Sequence, residues 1–185
     1  MRAATGGSLD GVPTLVRDPQ PVEFEQLLER RRQLGQDLLD EVWEGVYVLN
    51  PAPAARHAFI AQQLGELLGP PARAAGLVPM VSIFKLGEED NYRVPDGGLF
   101  RERPDGVYVS SAALVLEIVS PEDKSWEKLA FYAKHGGDEV LIVDPQERRV
   151  HWLALRPAGG YEPIERSSLV ALGPVELGER IDWPE

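Results

Sequence analysis

Two short and nearly continuous apolar runs constrain the fold of this chain more than any other feature. They are ALVLEIV at residues 113–119 and EVLIVD at residues 139–144, and both have the length of a strand rather than of a helix. Runs of this kind are typical of strands that are covered on both faces. With the helical segment between them, they predict a βαβ unit with a right-handed crossover.

The segment between the two runs carries the start and stop signals of a helix over residues 121–135. Ser120 and Asp123 fit a capping box, and Pro121 fits the first helical position. Gly136 fits the position at which such a helix stops. The helical period predicts a core-facing stripe made of Trp126, Leu129, Ala130 and Ala133.

The rest of the chain adds helices and strands to this unit. Periodic apolar residues predict helices over residues 21–36 and 55–69, the second ended by Pro70 and Pro71. Strand-forming segments lie within residues 40–50, 77–86, 91–101 and 148–156, with short ones near 161–166 and 180–183.

These elements predict an α/β fold in which helices flank a central mixed β-sheet. We expect a flexible N-terminal arm over residues 1–20, which are rich in Gly and Pro, and a single domain over residues 21–185. No apolar run approaches the roughly 20 residues that span a bilayer. The N-terminus lacks the apolar region of a signal peptide, and the chain has no cysteine. We therefore expect a cytoplasmic protein without a membrane partner.

The net charge of −11 restricts the partners that this chain can bind. Nucleic-acid-binding proteins usually carry a basic face, and an acidic protein repels a phosphate backbone at long range. The dense basic run ERRR at residues 29–32 is typical of a solvated helix face. Nucleic acid is therefore a partner only if bound divalent cations or a local basic cluster offset the charge.

Glu117 stands between Leu116 and Ile118 inside the first apolar run. A buried, ionised carboxylate is costly unless a positive group meets it. A metal ion is one such group, and a salt bridge to Arg93 or to a lysine is the alternative. Glu117 lies near the carboxyl end of its strand, where α/β folds place their ligands.

Asp96 ends a neighbouring predicted strand, directly after Pro95, and a return strand can bring it beside Glu117. Two adjacent carboxylates repel each other when both are ionised. Mg²⁺ or Mn²⁺ removes that repulsion, because these hard cations take oxygen ligands. The backbone carbonyl of Ile118 offers a third oxygen. Taken alone, Asp96 also fits a turn residue after proline.

Lys124 and Lys128 lie four residues apart and project from one side of the predicted helix beside Glu117. A lysine there can orient a nucleophile or offset charge on a phosphate, as in metal-assisted phosphodiester hydrolysis. Each also fits a solvated surface lysine. His57 fits a helix-start residue more readily than a site residue, and turn chemistry explains Glu44 as well as a site role does.

Four segments together resemble the Uma-two (Uma2) family, a bacterial group of predicted endonucleases in the PD-(D/E)XK restriction-endonuclease-like superfamily. They are WEGVYVLNPAPAARH, YRVPDGGLF, LVLEIVSP and EKLAFYAKHGGDEVLIVDP. The resemblance spans roughly residues 40–155 and implies a restriction-endonuclease-like fold. It matches Asp96 to the PD aspartate and Glu117 to the second acidic residue of the superfamily motif.

The resemblance also bears on the assisting lysine. The superfamily lysine would stand two positions after Glu117, where this chain has Val119. In the Uma-two pattern a lysine of the following helix takes that role, and EKLAFY points to Lys128, with Lys124 as the alternative.

Together these observations lead us to expect a Mg²⁺- or Mn²⁺-dependent endonuclease, with Asp96, Glu117 and Ile118 as metal ligands and Lys128 assisting. Nucleases of this fold often pair to cut two strands, so a homodimer is also expected. Two alternatives stay open. The net charge and Val119 favour a catalytically inactive binding or interaction module of the same fold, and hydrolysis of a small phosphorylated substrate is less hindered by overall acidity.

Overall fold

The computed structural model of this protein describes residues 14–17, 22–120 and 124–184. Within these ranges the chain forms α-helices and mixed β-sheets, which confirms the predicted α/β class. The helices are α1 (Val22–Gln33), α2 (Ala55–Ala74), α3 (Leu129–Lys134) and α4 (Pro174–Arg180). None of them combines the length and the apolarity needed to cross a membrane.

Strands β1 to β8 cover the first part of the chain, and β9 to β12 follow. The first eight are β1 (Thr14–Arg17), β2 (Glu41–Trp43), β3 (Val46–Leu49), β4 (Val78–Met80), β5 (Lys85–Glu88), β6 (Asn91–Arg93), β7 (Gly97–Phe100) and β8 (Tyr108–Val109). The others are β9 (Leu114–Ile118), β10 (Glu139–Asp144), β11 (Arg149–Leu155) and β12 (Tyr161–Pro163).

These strands form two six-stranded sheets rather than one central sheet. The first sheet has the order β1-β3-β2-β6-β5-β8, and the second has the order β12-β11-β10-β9-β7-β4. In the second sheet β9 and β10 run parallel, with α3 between them in sequence, so the predicted βαβ unit is confirmed. The antiparallel neighbour predicted for β10 is also confirmed, as β11.

The second sheet carries an apolar core on each face. Leu114, Leu116 and Ile118 of β9 join the cluster that contains the buried side of α2. Val115 belongs to the other cluster, which contains Phe131 of α3. Because side chains alternate along a strand, Glu117 shares the α3 face with Val115.

The predicted helix over residues 121–135 is shorter than expected. Residues 121–123 lie outside the described residues, so the capping box stays a prediction. A 3₁₀ turn runs over Ser125–Lys128, and α3 follows it. Of the predicted core stripe, Leu129 packs against the cluster on the α3 face, whereas Trp126 is 48% exposed and Ala130 is exposed. The buried side chains of this segment are those of Ser125, Lys128, Phe131 and Tyr132. The spacing of apolar residues does not indicate this buried face, because the face contains Lys128, which is buried against the carboxylates of Glu41 and Glu117.

The predicted end of α2 at residue 69 is also wrong, since the helix continues through Pro70 and Pro71 to Ala74. Proline removes a backbone donor and disturbs the preceding turn. Here Leu68 and Ala72, on either side of the prolines, are both buried in the core. Their packing keeps the segment helical.

The predicted strand near residues 180–183 is likewise wrong. The segment Pro174–Arg180 is α4, and Ile181 just after it is buried in the core. A short amphipathic helix therefore supplies the apolar contact that the sequence suggested for a strand.

Both predicted strands of the central region break in two. Residues 77–86 give β4 and β5, and residues 91–101 give β6 and β7. In each case one half belongs to the first sheet and the other to the second. The chain therefore passes between the sheets at residues 94–96, and Asp96 lies where it enters the second sheet.

Residues 40–50, predicted to be strand-forming, give the strands β2 and β3, which pair as antiparallel neighbours around Gly45. Thr14–Arg17, inside the predicted arm, forms β1 and pairs with β3. The rest of the arm lies outside the described residues. The division into an arm and a single domain stays a prediction.

Candidate active site

Glu117 lies buried on the α3 face of β9, with 3% of its surface exposed. Its Oε1 accepts a hydrogen bond from Nζ of Lys128 at 3.1 Å. The hydroxyl of Tyr132 donates a second hydrogen bond to the same oxygen. Lys128 and Tyr132 are four residues apart, which places both on the side of the helical segment that faces the sheet.

Lys128 joins this carboxylate to a second one from the other sheet. Its Nζ lies 3.0 Å from Oε1 of Glu41, the first residue of β2. The backbone N–H of Val94 donates to Oε1 of Glu41 at 2.7 Å, and Nε1 of Trp43 donates to Oε2 at 2.7 Å. Glu41 is therefore held firmly, and one ammonium group links the two sheets.

Asp96 contacts the residues on both sides of Glu117. Its backbone N–H donates to the carbonyl of Leu116 at 3.0 Å, and its Oδ2 accepts from the N–H of Ile118 at 2.7 Å. Because the N–H and C=O of one strand residue point to the same side, the Ile118 carbonyl also faces the Asp96 edge. The structure thus brings together Asp96, Glu117 and Ile118.

The two glycines after Asp96 allow this close approach. A Cβ placed on Gly97 would lie 3.0 Å from the Met80 carbonyl oxygen and 3.0 Å from the Val81 Cα, which leaves no room for a side chain. The segment PDGG therefore combines an acidic group with a backbone that fits tightly between its neighbours.

His57, in the first turn of α2, is also part of the site. Its Nε2 lies 3.1 Å from Oδ1 of Asp96. The sequence favoured a helix-start role for His57, and the structure adds a contact with Asp96. Both oxygens of Asp96 therefore have a partner within the protein.

Lys124, the other candidate lysine, has a different environment. Its Nζ lies over the ring of Trp43, 5.9 Å from the ring centroid.

Arg93 is buried between two rings, with its guanidinium carbon 4.3 Å from the centroid of Trp43 and 4.2 Å from that of Phe131. Of the two salt bridges considered for Glu117, the structure thus has the one to a lysine.

The charges of the cluster do not balance when every acidic group is ionised. Asp96, Glu117 and Glu41 supply three carboxylates, and Lys128 pairs with two of them, Glu117 and Glu41. Burial raises the pKa of Glu117 to about 8; Lys128 lowers it, whereas Asp96 and Glu41 raise it. Glu117 is therefore the group that gains most from an added cation.

Lys128 and Tyr132 both keep their protons in this setting. Burial lowers the pKa of Lys128, but Glu117 and Glu41 more than offset this and leave it above its usual value. Burial and the adjacent Glu117 also raise the pKa of Tyr132 well above its usual value. Both side chains therefore act as donors.

The donor atoms at this site are oxygens, which is the kind of ligand that a hard divalent cation takes. Within the described part of the chain, no three His, Cys, Asp or Glu side chains are grouped so as to hold a metal ion. Mg²⁺ is commonly bound through one or two carboxylates and keeps several water ligands. Asp96, Glu117 and the Ile118 carbonyl match that pattern.

Sequence reasoning missed Glu41 and Tyr132. Tyr132 was within reach, because residues four apart on a helix share a face and Lys128 was already a candidate. Glu41 gave no such signal, since its contact joins two sheets that the sequence did not separate.

Comparison with known proteins identifies the family and a similar fold. A protein-family model described as "Uma2: Putative restriction endonuclease" matches residues 21–179. The fold is similar to the crystal structure of a putative nuclease belonging to DUF820 from Anabaena variabilis, with a TM-score of 0.61 and 18% sequence identity over 76% of this chain and 90% of that chain. No curated protein matches the sequence. The family resemblance seen in the sequence is confirmed.

Proposed function

Because this chain belongs to the Uma2 family, we propose that it is a divalent-metal-dependent nuclease that hydrolyses phosphodiester bonds in nucleic acid. The observation that supports it is the cluster at the junction of the two sheets, where Lys128 contacts the buried carboxylates of Glu117 and Glu41, and Asp96 accepts from the N–H of Ile118 beside Glu117. A buried carboxylate with a strongly raised pKa beside a lysine is a common mark of an active site.

In this proposal Asp96 and Glu117 bind Mg²⁺ or Mn²⁺ together with the carbonyl of Ile118. The excess of negative charge supports this assignment. Burial is the largest cause of the raised pKa of Glu117, repulsion from Asp96 and Glu41 adds to it, and a dication would remove that repulsion. A divalent ion at such a site lowers the pKa of water and stabilises negative charge on a phosphate. The protein's part is to hold the two carboxylates and to exclude bulk water.

Lys128 is proposed as the assisting lysine. The contact of its Nζ with Glu117 supports this role, although Val119 stands at the position where the superfamily pattern has its lysine. The location of Lys124 over Trp43 favours Lys128 over Lys124. Lys128 would keep its proton and offset charge that develops on the phosphate. Glu41 and Tyr132 would act as positioning residues, since both contact this pair.

His57 is proposed to position Asp96. Its Nε2 contact fixes Oδ1, while the N–H of Ile118 fixes Oδ2. Asp96 would then keep one orientation as charge at the site changes.

Two observations favour the rival, a catalytically inactive binding module of the same fold. Lys128 already meets Glu117 within the protein, and the net charge of −11 disfavours a polyanionic partner. Hydrolysis of a small phosphorylated substrate is a third candidate, because a small substrate has less charge to be repelled.

The test is divalent-dependent cleavage of plasmid, single-stranded DNA and RNA by the wild type and by Glu117→Gln. Asp144→Asn is the matched control: Asp144 ends the neighbouring strand β10, and its Oδ1 only caps the following turn. We expect cleavage by the wild type and the control, and a loss of at least about 100-fold in Glu117→Gln.

Calorimetry with Mg²⁺ and Mn²⁺ separates the candidates. Binding by the wild type that Asp96→Ala and Glu117→Ala abolish supports the metal site, and equal binding by all three proteins refutes it. Metal binding without cleavage of any nucleic acid favours the inactive module or the small substrate.

A further inference from the structure

We propose that Trp126 and His151 form a stacking platform for an unpaired base, which makes single-stranded nucleic acid the substrate class of this site. The inference rests on the proposed nuclease function and extends it to the choice of substrate. It is carried by the exposure of Trp126, by the strand register and by the charge of the protein.

Trp126 projects outward from the turn whose inner side forms the candidate site. In the 3₁₀ turn Ser125–Lys128, the side chains of Ser125 and Lys128 are buried, whereas Trp126 is 48% exposed. Single exposed apolar side chains are common on protein surfaces and mean little by themselves. The position of this one, two residues from Lys128, is what gives it significance.

Strand register places His151 in one row with the candidate catalytic carboxylate. Ile142 of β10 is paired with Glu117 of β9 on one side and with His151 of β11 on the other. Residues directly opposite each other in a sheet project from the same face. Glu117, Ile142 and His151 therefore line one face, and His151 lies two strand spacings, or about 10 Å, from Glu117.

The two rings are in direct contact at the end of this row. Their centroids are 5.2 Å apart, and the ring planes cross at 78°. In such an edge-to-face pair His151 supports Trp126 on one side only. Because His151 lies about 10 Å from Glu117 within the sheet, the ring pair stands near the candidate catalytic carboxylate.

An exposed aromatic face at this distance suits an unpaired base. Stacking on aromatic side chains accepts any base, because every base has a flat π-face. A base inside a duplex is already stacked on both sides and must be extruded before it can contact the platform. The platform therefore discriminates between single strands and duplexes rather than between sequences.

The net negative charge of the protein also favours binding by stacking over binding by general attraction to phosphates. A protein of net charge −11 gains little from general attraction to a phosphate backbone. Stacking supplies affinity without charge, so it does not depend on that attraction. The platform thus answers the objection that net charge raises against a nucleic-acid substrate.

The test is fluorescence anisotropy of a short single-stranded oligodeoxynucleotide with the full chain in Ca²⁺, using wild type, Trp126→Ala and Trp126→Phe. Phe59→Ala is the control, because Phe59 is also an exposed aromatic residue, with 54% of its surface accessible. It stands two positions after His57, so its side chain lies on a different side of α2 from that of His57. We expect Trp126→Ala to weaken binding by roughly 5- to 100-fold, and Trp126→Phe and Phe59→Ala to bind nearly as well as the wild type.

An oligonucleotide with one abasic position adds a readout that a purely structural role would not move. When the abasic position is moved along the oligonucleotide, the wild type should lose affinity at one position. The affinity of Trp126→Ala should not fall further at that position. Blunt duplex binding should be equal in all variants. Unchanged single-strand affinity in Trp126→Ala overturns the platform and leaves the proposed nuclease intact, whereas a wild type that binds no nucleic acid overturns both. A change of oligomeric state in Trp126→Ala would instead assign the face to a second copy of the chain and overturn the platform.

Discussion

Nζ of Lys128 lies 3.1 Å from Oε1 of Glu117, although the two residues belong to different elements and stand 11 positions apart in the sequence. The residue two positions after Glu117 is Val119, which packs against the core cluster on the α3 face. The lysine beside Glu117 thus comes from a helical turn rather than from the strand. Where a lysine projects in space matters more to the chemistry of this site than its place in a motif.

Replacing Lys128 with methionine should destabilise the protein strongly and abolish cleavage. The change keeps the volume of the side chain but leaves Glu117 and Glu41 buried without their shared cation. Breaking a buried ion pair in this way costs about 3–5 kcal/mol. Urea unfolding should show this loss, and Lys124→Met should change the free energy of unfolding by less than about 0.5 kcal/mol. Equal stability of the two variants would contradict the arrangement.

The stability of the protein should depend on pH through Glu117. Its folded pKa of about 8 is above the unfolded value, so its contribution is fully present below about pH 4 and is lost as pH rises towards 8. The free energy of unfolding of Glu117→Gln, compared with that of the wild type, should therefore increase with pH, by at most about 1.4 kcal/mol per pH unit. The measurement is urea denaturation between about pH 5 and pH 9. Parallel pH curves for the two proteins would refute the raised pKa.

Mg²⁺ should shift this pH dependence. A cation bound at Asp96 and Glu117 favours the ionised carboxylates, so it should lower the pKa of Glu117 and flatten the pH curve of the wild type. Denaturation with Mg²⁺ and with EDTA measures the effect. Glu117→Gln serves as the control, and an equal response in both proteins would mean that the ion binds elsewhere.

Tyr132→Phe should weaken the site without dismantling it. The hydroxyl of Tyr132 donates to Glu117, and leaving a buried acceptor without its donor costs about 1–3 kcal/mol. Tyr161→Phe is the matched control, because the hydroxyl of Tyr161 donates to the Gly137 carbonyl, outside the cluster. Both variants should lose stability, but only Tyr132→Phe should change the affinity for Mg²⁺ and the pH profile of cleavage.

Glu139→Gln should affect stability alone. Glu139 opens β10, is buried, and accepts hydrogen bonds from Nε1 of Trp152 and from the hydroxyls of Ser167 and Ser168. These neutral donors tie the segment after β12 to the sheet. We expect a loss of about 1–3 kcal/mol in unfolding experiments with cleavage and Mg²⁺ binding retained; loss of either at full stability would give Glu139 a role in the site.

The sequence predicted the parts of the site that depend on local pattern. Asp96 and Glu117 could be predicted as neighbours because each ends a strand-like segment and a short return connects them. Glu41 could not, because its contact with Lys128 depends on how the two sheets meet. The apolar continuity of residues 77–86 and 91–101 concealed the points where each segment leaves one sheet for the other. The buried face of α3 was misjudged for a related reason, since hydrophobicity does not report a lysine that carboxylates hold inside.

Because Lys128 contacts a carboxylate from each sheet, the site is complete only when both sheets have formed and packed together. Glu41 comes from the first sheet and Glu117 from the second, so the ammonium group meets both carboxylates only when the two layers are docked. A folding intermediate in which only one layer has formed would lack the complete cluster. Recovery of activity during refolding would therefore report the packing of the two sheets against each other. It would not report the formation of each sheet by itself.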